Sequence, residues 1–427
     1  MTTTQHPATL ALHHGFSADP TTKAVAVPLY QTAAFAFDDA QHGADLFDLA
    51  VPGNIYTRIM NPTTDVLEQR LAALEDGVAS LAVASGMAAI HYALITLAKQ
   101  GDNIVTTPQV YGGTYTLFAH QLPALGIEVR FAASDQAADV AALVDANTKA
   151  IYCESIGNPA GNIADIPALA AVANEHGIPL VVDNTVATPI LCKPIELGAH
   201  IVVHSLTKYI GGHGTTIAGA IVDGGTFDWL AAAPKFPQFS QPEPAYHGVV
   251  YTEAFGPAAF IARVRTVALR NTGAALSPFN AFLILQGLET LELRMQRHCD
   301  NAAKVVAFLQ QHPQVAWVNY AGSSEHPHYP LAQRLIQGGL PASLLTFGVA
   351  GGYAAGVRFY DSLKLFKRLV NIGDTKSLAC HPASTTHRQL SVEEQAKVGV
   401  KPEAIRLCVG IEHIDDILAD LEQALAQ

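Results

Sequence analysis

Residues 200–214 read His-Ile-Val-Val-His-Ser-Leu-Thr-Lys-Tyr-Ile-Gly-Gly-His-Gly. The apolar run predicts a β-strand that ends at about His204, and the hydroxyls of Ser205 and Thr207 follow it directly. Three glycines among the last four residues keep the next turn open for a ligand that approaches the backbone. Lys208 lies between these two groups, and we predict that it reacts with an aldehyde cofactor that carries a phosphate. Because most lysines are solvated surface charges, the rest of the chain has to support this role.

Short apolar runs alternate with helical segments before this stretch. Strands are predicted at residues 79–84, 103–107, 128–132, 150–154 and 180–183, and helices at 62–77, 88–99, 135–145 and 166–176. This alternation predicts an α/β fold with a mostly parallel central sheet and right-handed crossovers. The ligand of such a sheet binds beyond the carboxyl ends of the strands, which is where Lys208 is expected.

The chain of 427 residues is too long for one ordinary domain, and its pattern predicts an arm and two domains. Residues 1–62 have little periodicity and are interpreted as an N-terminal arm that contacts a neighbouring subunit. Residues 63–276 form the large ligand-binding domain, and residues 277–427 form a smaller C-terminal α/β domain. The proline-rich residues 225–260 predict a long loop, and the uncharged region around 343–349 predicts a buried strand rather than a membrane span.

Composition limits the kinds of partner. The net charge of −12 has no basic run to offset it, so we expect neither nucleic acid nor a membrane as partner, but a small metabolite. With 49% apolar and 15% charged residues, the chain is expected to form a homo-oligomer. The five cysteines are scattered, and His326 and His328 have no third ligand nearby, so no disulfide framework and no metal site are predicted. The first residues do not resemble a signal peptide, which favours the cytoplasm.

Three further features lie at the ends of predicted strands. The run that starts at Ser85 and precedes a helix either binds a phosphate or caps the helix. Asn158 either donates to an oxyanion or starts a turn, and Asp183 is a metal ligand, a cap or the partner of a cationic ring nitrogen. Taken together with Lys208 and a ring-stacking tyrosine at Tyr111, these groups are the set that pyridoxal phosphate requires.

Seven motifs extend this inference to a known family. They lie at residues 56–63, 85–87, 111–114, 183–185, 205–209, 381–387 and 406–412. Over nearly its whole length the chain resembles the Cys/Met metabolism pyridoxal-phosphate enzymes of the fold-type I, aspartate aminotransferase-like class. Within that family it is most similar to the sulfhydrylases that act on O-acetylhomoserine.

The resemblance implies a role for each residue of these motifs. Lys208 would hold pyridoxal 5'-phosphate as a Schiff base and then move protons, assisted by Tyr111, which would stack on the ring. The residues implied in cofactor binding are Tyr56, Arg58, Ser85, Gly86, Met87, Asn158, Asp183, Ser205 and Thr207, in addition to Lys208 and Tyr111. Tyr56 and Arg58 would come from the neighbouring subunit of a homotetramer, a dimer of dimers with shared sites. Substrate would be bound by Arg406, Asn158 and Ser377, with Arg406 clamping the α-carboxylate.

The implied reaction is γ-replacement, in which sulfide or methanethiol displaces acetate from O-acetylhomoserine. Lys376 stands where cystathionine γ-synthases and γ-lyases carry a glutamate, a difference that resembles the sulfhydrylases. Residues 371–378 and 234–250 are therefore expected to set the specificity, the latter by narrowing the site. The alternatives are a cystathionine γ-synthase, a γ-lyase or a methionine γ-lyase on the same scaffold. An inactive regulatory protein or a nucleotide-binding α/β protein is the alternative from another class, although the chain lacks a G-x-G-x-x-G after its first strand.

Overall fold

The computed structural model describes residues 5–48, 50–386, 388 and 400–427. His387, the last residue of one motif that carries the resemblance, lies outside these residues. Within the described part of the chain, no helix is long and apolar enough to cross a membrane.

A seven-stranded sheet forms the larger layer of the described structure. Its strands are β1 (Ala79–Val83), β2 (Asn103–Thr106), β3 (Glu128–Phe131), β4 (Thr148–Glu154), β5 (Leu180–Asp183), β6 (Ile201–His204) and β7 (Gly219–Asp223), in the order β1-β7-β6-β5-β4-β2-β3. The run from β6 to β3 is parallel, and β7 is antiparallel to both of its neighbours. The central strands are buried on both faces, which explains why they read as continuous apolar runs. The predicted mostly parallel sheet is confirmed.

Helices pack against this sheet and against the sheet that follows. The α-helices are Pro7–His13, Ala40–Phe47, Pro62–Leu74, Gly86–Leu97, Gly112–Thr116, Leu122–Ala124, Ala137–Ala141, Ile166–Glu175, Thr188–Leu191, Pro237–Ser240, Tyr251–Phe255, Ala259–Arg263, Arg270–Thr272, Pro278–Leu288, Leu291–Gln311, Tyr329–Leu335, Gly352–Ser362 and Ile414–Leu425. Segments of π-helix at Leu117–Gln121 and Val264–Leu269 join neighbouring short helices into longer ones.

A second, smaller sheet lies in the C-terminal part of the chain. Its strands are β8 (Val315–Asn319), β9 (Leu344–Val349), β10 (Lys367–Arg368), β11 (Leu378–Cys380) and β12 (Ala404–Cys408), in the order β10-β11-β12-β9-β8. The strands from β11 to β8 are antiparallel. The last helix buries Ile417, Leu421 and Ala424 in the core of this layer, at the spacing of one helical face. β9 confirms the buried strand that was predicted in the uncharged region.

One predicted helix is interrupted. The apolar pattern from Ser277 to Arg294 predicts a continuous helix, but the structure ends one helix at Leu288 and begins the next at Leu291. Arg294 then donates to the backbone oxygens of Tyr209 and Ile210. The break therefore places a buried guanidinium directly under the turn that follows Lys208.

The proline-rich region also differs from its prediction. It contains the short helices Pro237–Ser240 and Tyr251–Phe255 instead of an uninterrupted loop. The reason is an aromatic cluster, in which Trp229 contacts both Phe239 and Phe260 and ties the region to the body of the protein.

Candidate active site

The carboxyl ends of the central parallel strands open into one cavity. Predicted site residues from both sheets line it: Ser85, Gly86, Met87, Tyr111, Asn158, Asp183, Ser205, Thr207, Lys208 and Arg406. Residues that were not predicted as site residues complete the lining: Ile90, Glu154, Ile156, Thr185, Val186, Ile217, Val370 and Ile372. The strand order explains this convergence, because neighbouring parallel strands end at the same edge.

An anion can be held at one corner of the cavity. Ser85 caps the helix Gly86–Leu97, since its hydroxyl accepts from Ala88 N at 3.1 Å. A Cβ atom at Gly86 would lie 2.7 Å from Ser205 Cβ, so the absence of a side chain lets the helix start pack on the end of the Lys208 strand. Ser205 lies against this helix start, and Thr207, whose hydroxyl bonds to the backbone of Ala218, lines the same cavity. Such a helix start with nearby hydroxyls suits a phosphate group.

The half-buried carboxyl group of Asp183 also lines this cavity. Asp183 Oδ1 accepts from both the backbone N and the hydroxyl of Thr185, at 3.0 and 2.5 Å. Its other oxygen accepts from the Tyr152 hydroxyl at 3.3 Å. Burial raises the pKa of Asp183 above its usual value, because the charged form loses its hydration. A cation placed against this carboxyl would favour its ionised form. The partner of a pyridinium nitrogen has to be ionised in the same way.

Lys208 extends into the cavity as a half-buried amine. Its Nζ atom donates to Asn371 Oδ1 at 2.5 Å. Burial lowers the pKa of Lys208, and the neighbouring positive charge of Arg406 lowers it further. A lysine with a lowered pKa is better suited to accept a proton near neutral pH. Asn371 lies 163 residues further along the chain, so no local signal in the sequence connects it to the lysine.

Arg406 reaches the cavity from the second sheet. It lies on β12, and its Nη1 atom donates to Asn158 Oδ1 at 3.2 Å. The other terminal nitrogen donates to the backbone oxygen of Asn371 at 3.5 Å. The planar guanidinium is thus held by Asn158 and Asn371 in the cavity that Lys208 also lines. In this position it can bind a carboxylate.

Three predicted site residues do not line this cavity. Tyr56 and Arg58 lie on the arm, where Arg58 donates to the backbone oxygen of Arg270 and stacks on the Tyr56 ring at 5.4 Å. Ser377, predicted to bind substrate, is fully buried, and its hydroxyl donates to Glu412 Oε2 at 2.9 Å. This hydroxyl therefore holds the turn before β11, and the contact of Ser377 with substrate stays a prediction.

The two segments predicted to set specificity behave differently. In residues 371–378, Asn371 accepts a hydrogen bond from Lys208, and Ile372 lines the cavity. Lys376 is exposed and pairs with Asp374 at 3.2 Å. In this chain, no described residue of 234–250 lines the cavity, because that segment packs against the aromatic cluster around Trp229. The narrowing of the site by residues 234–250 therefore stays a prediction.

The sequence profile of the Cys/Met metabolism PLP-dependent enzymes matches residues 8–426. The chain belongs to this family. Members of the Cys/Met metabolism family with high identity include O-acetyl-L-homoserine sulfhydrylase 1 of Thermus thermophilus, which is 53% identical and covers 98% of this chain and 99% of its own. Homocysteine synthase of Schizosaccharomyces pombe is 51% identical, with 99% of this chain and 98% of that protein covered.

A solved structure agrees with the fold as well as with the family. The proposed O-acetylhomoserine (thiol)-lyase of Campylobacter jejuni superposes with a TM-score of 0.95 at 43% identity, and covers 99% of this chain and 100% of its own. That crystal structure carries N'-pyridoxyl-lysine-5'-monophosphate. This chain is therefore a fold-type I, PLP-dependent enzyme of the Cys/Met metabolism family, as its sequence predicts.

The cavity fits the cofactor of this family. The helix start at Gly86 has no side chain that would fill the phosphate corner, Asp183 is a half-buried acceptor for a ring nitrogen, and Lys208 is a half-buried amine. These three groups line one cavity. The chemistry of the lining thus matches the phosphate, the pyridine nitrogen and the aldehyde of pyridoxal phosphate.

Proposed function

We propose that this protein catalyses γ-replacement on O-acetylhomoserine, with sulfide or methanethiol as the nucleophile, to release acetate and form homocysteine or methionine. The observation that carries the proposal is the relationship over the full chain to proteins named O-acetyl-L-homoserine sulfhydrylase or homocysteine synthase, at 46 to 53% identity. The cavity supports it, since Lys208 and Arg406, which can bind a carboxylate, line the same cavity.

Pyridoxal phosphate, when bound, supplies an electron sink for the carbanion that forms at the substrate Cα. The side chains of the protein bind the cofactor and the substrate and transfer the protons. Ser205, Thr207 and the helix start at Gly86 would hold the phosphate, and Asp183 would keep a proton on the ring nitrogen. Arg406 would fix the α-carboxylate of the substrate. The reacting carbons are thereby oriented towards Lys208.

Lys208 would move the protons of the reaction. As a free amine, Lys208 donates to Asn371 in this structure. Its lowered pKa allows Nζ to take up the α-proton and to return a proton later. Val370 and Ile372 line the cavity on either side of Asn371, and the buried Ile372 keeps this part of the lining apolar.

Turnover assays test the proposed reaction directly. With O-acetylhomoserine and sulfide, the purified protein is expected to form homocysteine and acetate in equal amounts. Cystathionine formed preferentially from cysteine would instead identify a cystathionine γ-synthase. Ketoacid and ammonia as the sole products, from methionine or from cystathionine, would identify a lyase and contradict the proposal.

The subunit arrangement and the cellular site belong to the same proposal. We propose a cytoplasmic homotetramer built as a dimer of dimers, with an arm of residues 1–62 and domains at 63–276 and 277–427. Tyr56 is 42% exposed and does not line the cavity of its own chain, which supports a role in the site of a neighbouring subunit. The exposed apolar side chains of the arm also favour burial against another copy: Leu29, Tyr30, Phe37, Phe47 and Val51.

Removing the carboxylate clamp gives a prediction that separates substrate binding from cofactor binding. Arg406→Ala is expected to lower kcat/KM for O-acetylhomoserine by about 10- to 100-fold, because a charge-assisted hydrogen bond to the α-carboxylate is lost. The visible absorbance of the bound cofactor is expected to stay, since Lys208 and Asp183 are untouched. Steady-state kinetics and an absorbance spectrum of the same preparation check both parts. An unchanged KM for the amino-acid substrate would contradict the clamp.

A further inference from the structure

Glu154 lines the cavity without a role in the chemistry described above. It is the last residue of β4, and only 5% of it is exposed. Its Oε1 atom accepts from the backbone N of Tyr111 at 2.5 Å, and its Oε2 atom accepts from the backbone N of Asn158 at 3.2 Å. One carboxylate therefore joins two loops that follow different strands.

Each of these loops carries a predicted site residue, Tyr111 in the first and Asn158 in the second. Tyr111 immediately precedes the helix Gly112–Thr116, and its ring lies so close to Gly113 that a Cβ there would be 2.6 Å from the ring. The position of the ring therefore depends on the turn that the Tyr111 amide anchors. Asn158 accepts from Arg406, so the second loop reaches the substrate clamp. Glu154 therefore fixes both the loop that carries Tyr111 and the loop that contacts Arg406.

A negative charge on Glu154 is unfavourable, because the side chain is buried next to Asp183. A carboxylate at this position therefore indicates a specific function. Glu154 and Asp183 are direct partners on adjacent strands, and like charges in such a pair destabilise a sheet. Burial raises the pKa of Glu154, and the charge of Asp183 raises it further. A glutamine would fill the same volume without this repulsion. It has only one acceptor oxygen, however, whereas the two loops present two N–H donors.

We propose that Glu154 is a positioning residue for the reaction, which fixes the Tyr111 ring and the Asn158–Arg406 clamp relative to each other through its two carboxylate oxygens. The proposal deepens the proposed function and rests on it only in that the substrate carries an α-carboxylate. Glu154 is itself part of β4. Its position in the sheet therefore fixes the positions of both loops.

Glu154→Gln tests the proposal, since an amide can accept from only one of the two N–H groups. The dissociation constant of L-methionine, followed by the absorbance of the bound cofactor, is expected to rise about tenfold or more. Amide hydrogen exchange is expected to become faster in residues 109–113 or 156–162, in the loop that loses its acceptor. The KM for sulfide should stay within about twofold, because sulfide has no carboxylate.

Glu68→Gln is the matched control. Glu68 is also buried and accepts from a backbone N–H, that of Ala82 at 2.8 Å, but it does not line the cavity. Its replacement is expected to affect the stability of the protein without changing the affinity for L-methionine. Equal losses of affinity in both variants would show a general effect of a buried Glu→Gln change and would overturn the proposal.

A double-mutant cycle with Asn158→Ala closes the test. If Glu154 acts on the clamp through Asn158, the two losses of L-methionine affinity are expected to be clearly less than additive. Full additivity, or unchanged amide exchange in Glu154→Gln, would contradict the positioning role. Binding of L-methionine does not require sulfide chemistry, so a failure of the proposed γ-replacement would be seen separately, in the turnover assay.

Discussion

Replacing Lys208 with alanine is expected to remove the visible absorbance of the purified protein and to lower kcat by at least about 10³-fold, the range for loss of a general base. Lys208 lines the cavity as a half-buried amine, with Asn371 as its hydrogen-bond partner. Without this amine the cofactor loses its covalent attachment and the α-proton loses its acceptor. An absorbance spectrum, together with turnover of O-acetylhomoserine and sulfide, measures both losses.

Two comparisons make this result specific. Borohydride treatment of the wild-type protein is expected to bleach the same band and to leave the cofactor attached to the peptide that contains Lys208. Lys367→Ala serves as the control, since Lys367 is exposed on β10 and does not line the cavity. A yellow Lys208→Ala protein with near-normal turnover would refute the assignment, and so would a colourless wild type purified with pyridoxal phosphate present.

The parts of the site that the sequence predicted share one physical origin. A buried parallel strand is a short apolar run, and its end is marked by the first polar residues, as at Asp183 and Ser205. Parallel strands end at the same edge, so these polar residues meet even though they are far apart in the chain. The predicted strand at 180–183 has the bounds of β5, and the phosphate corner lies where the Ser85 motif is found.

The parts that were missed depend on contacts between distant segments. Asn371 contacts Lys208 only because a turn near the second sheet packs on the first, and periodicity does not report such packing. Glu154 was recognised as a strand end, but its function depends on two backbone amides, which have no signature in the sequence. Ser377 was predicted to bind substrate, but its hydroxyl is buried against Glu412 and does not line the cavity. A motif locates a segment, whereas tertiary packing decides which side chains face the substrate.

Asp183→Asn is expected to change activity and stability in opposite directions. In the loaded enzyme, kcat should fall by about 10²- to 10³-fold, because an amide does not hold a proton on the ring nitrogen as a carboxylate does. In the cofactor-free protein, burial raises the pKa of Asp183, so the folded state favours the neutral carboxyl. The stability that this group contributes is therefore present near the unfolded pKa of about 3.9 and is lost as the pH rises through the raised value. An asparagine does not ionise and escapes this loss.

The melting temperature of cofactor-free Asp183→Asn is thus expected to exceed that of the wild type at pH 7, and the difference should disappear towards about pH 4. Asp223→Asn is the matched control, because burial raises the pKa of Asp223 to about 7 although it lies at the end of β7 outside the cavity. That variant should keep its kcat. A cofactor-free Asp183→Asn protein that is less stable than wild type at pH 7, or a loaded one with kcat within about threefold of wild type, would show that the carboxyl serves the fold and not the ring nitrogen.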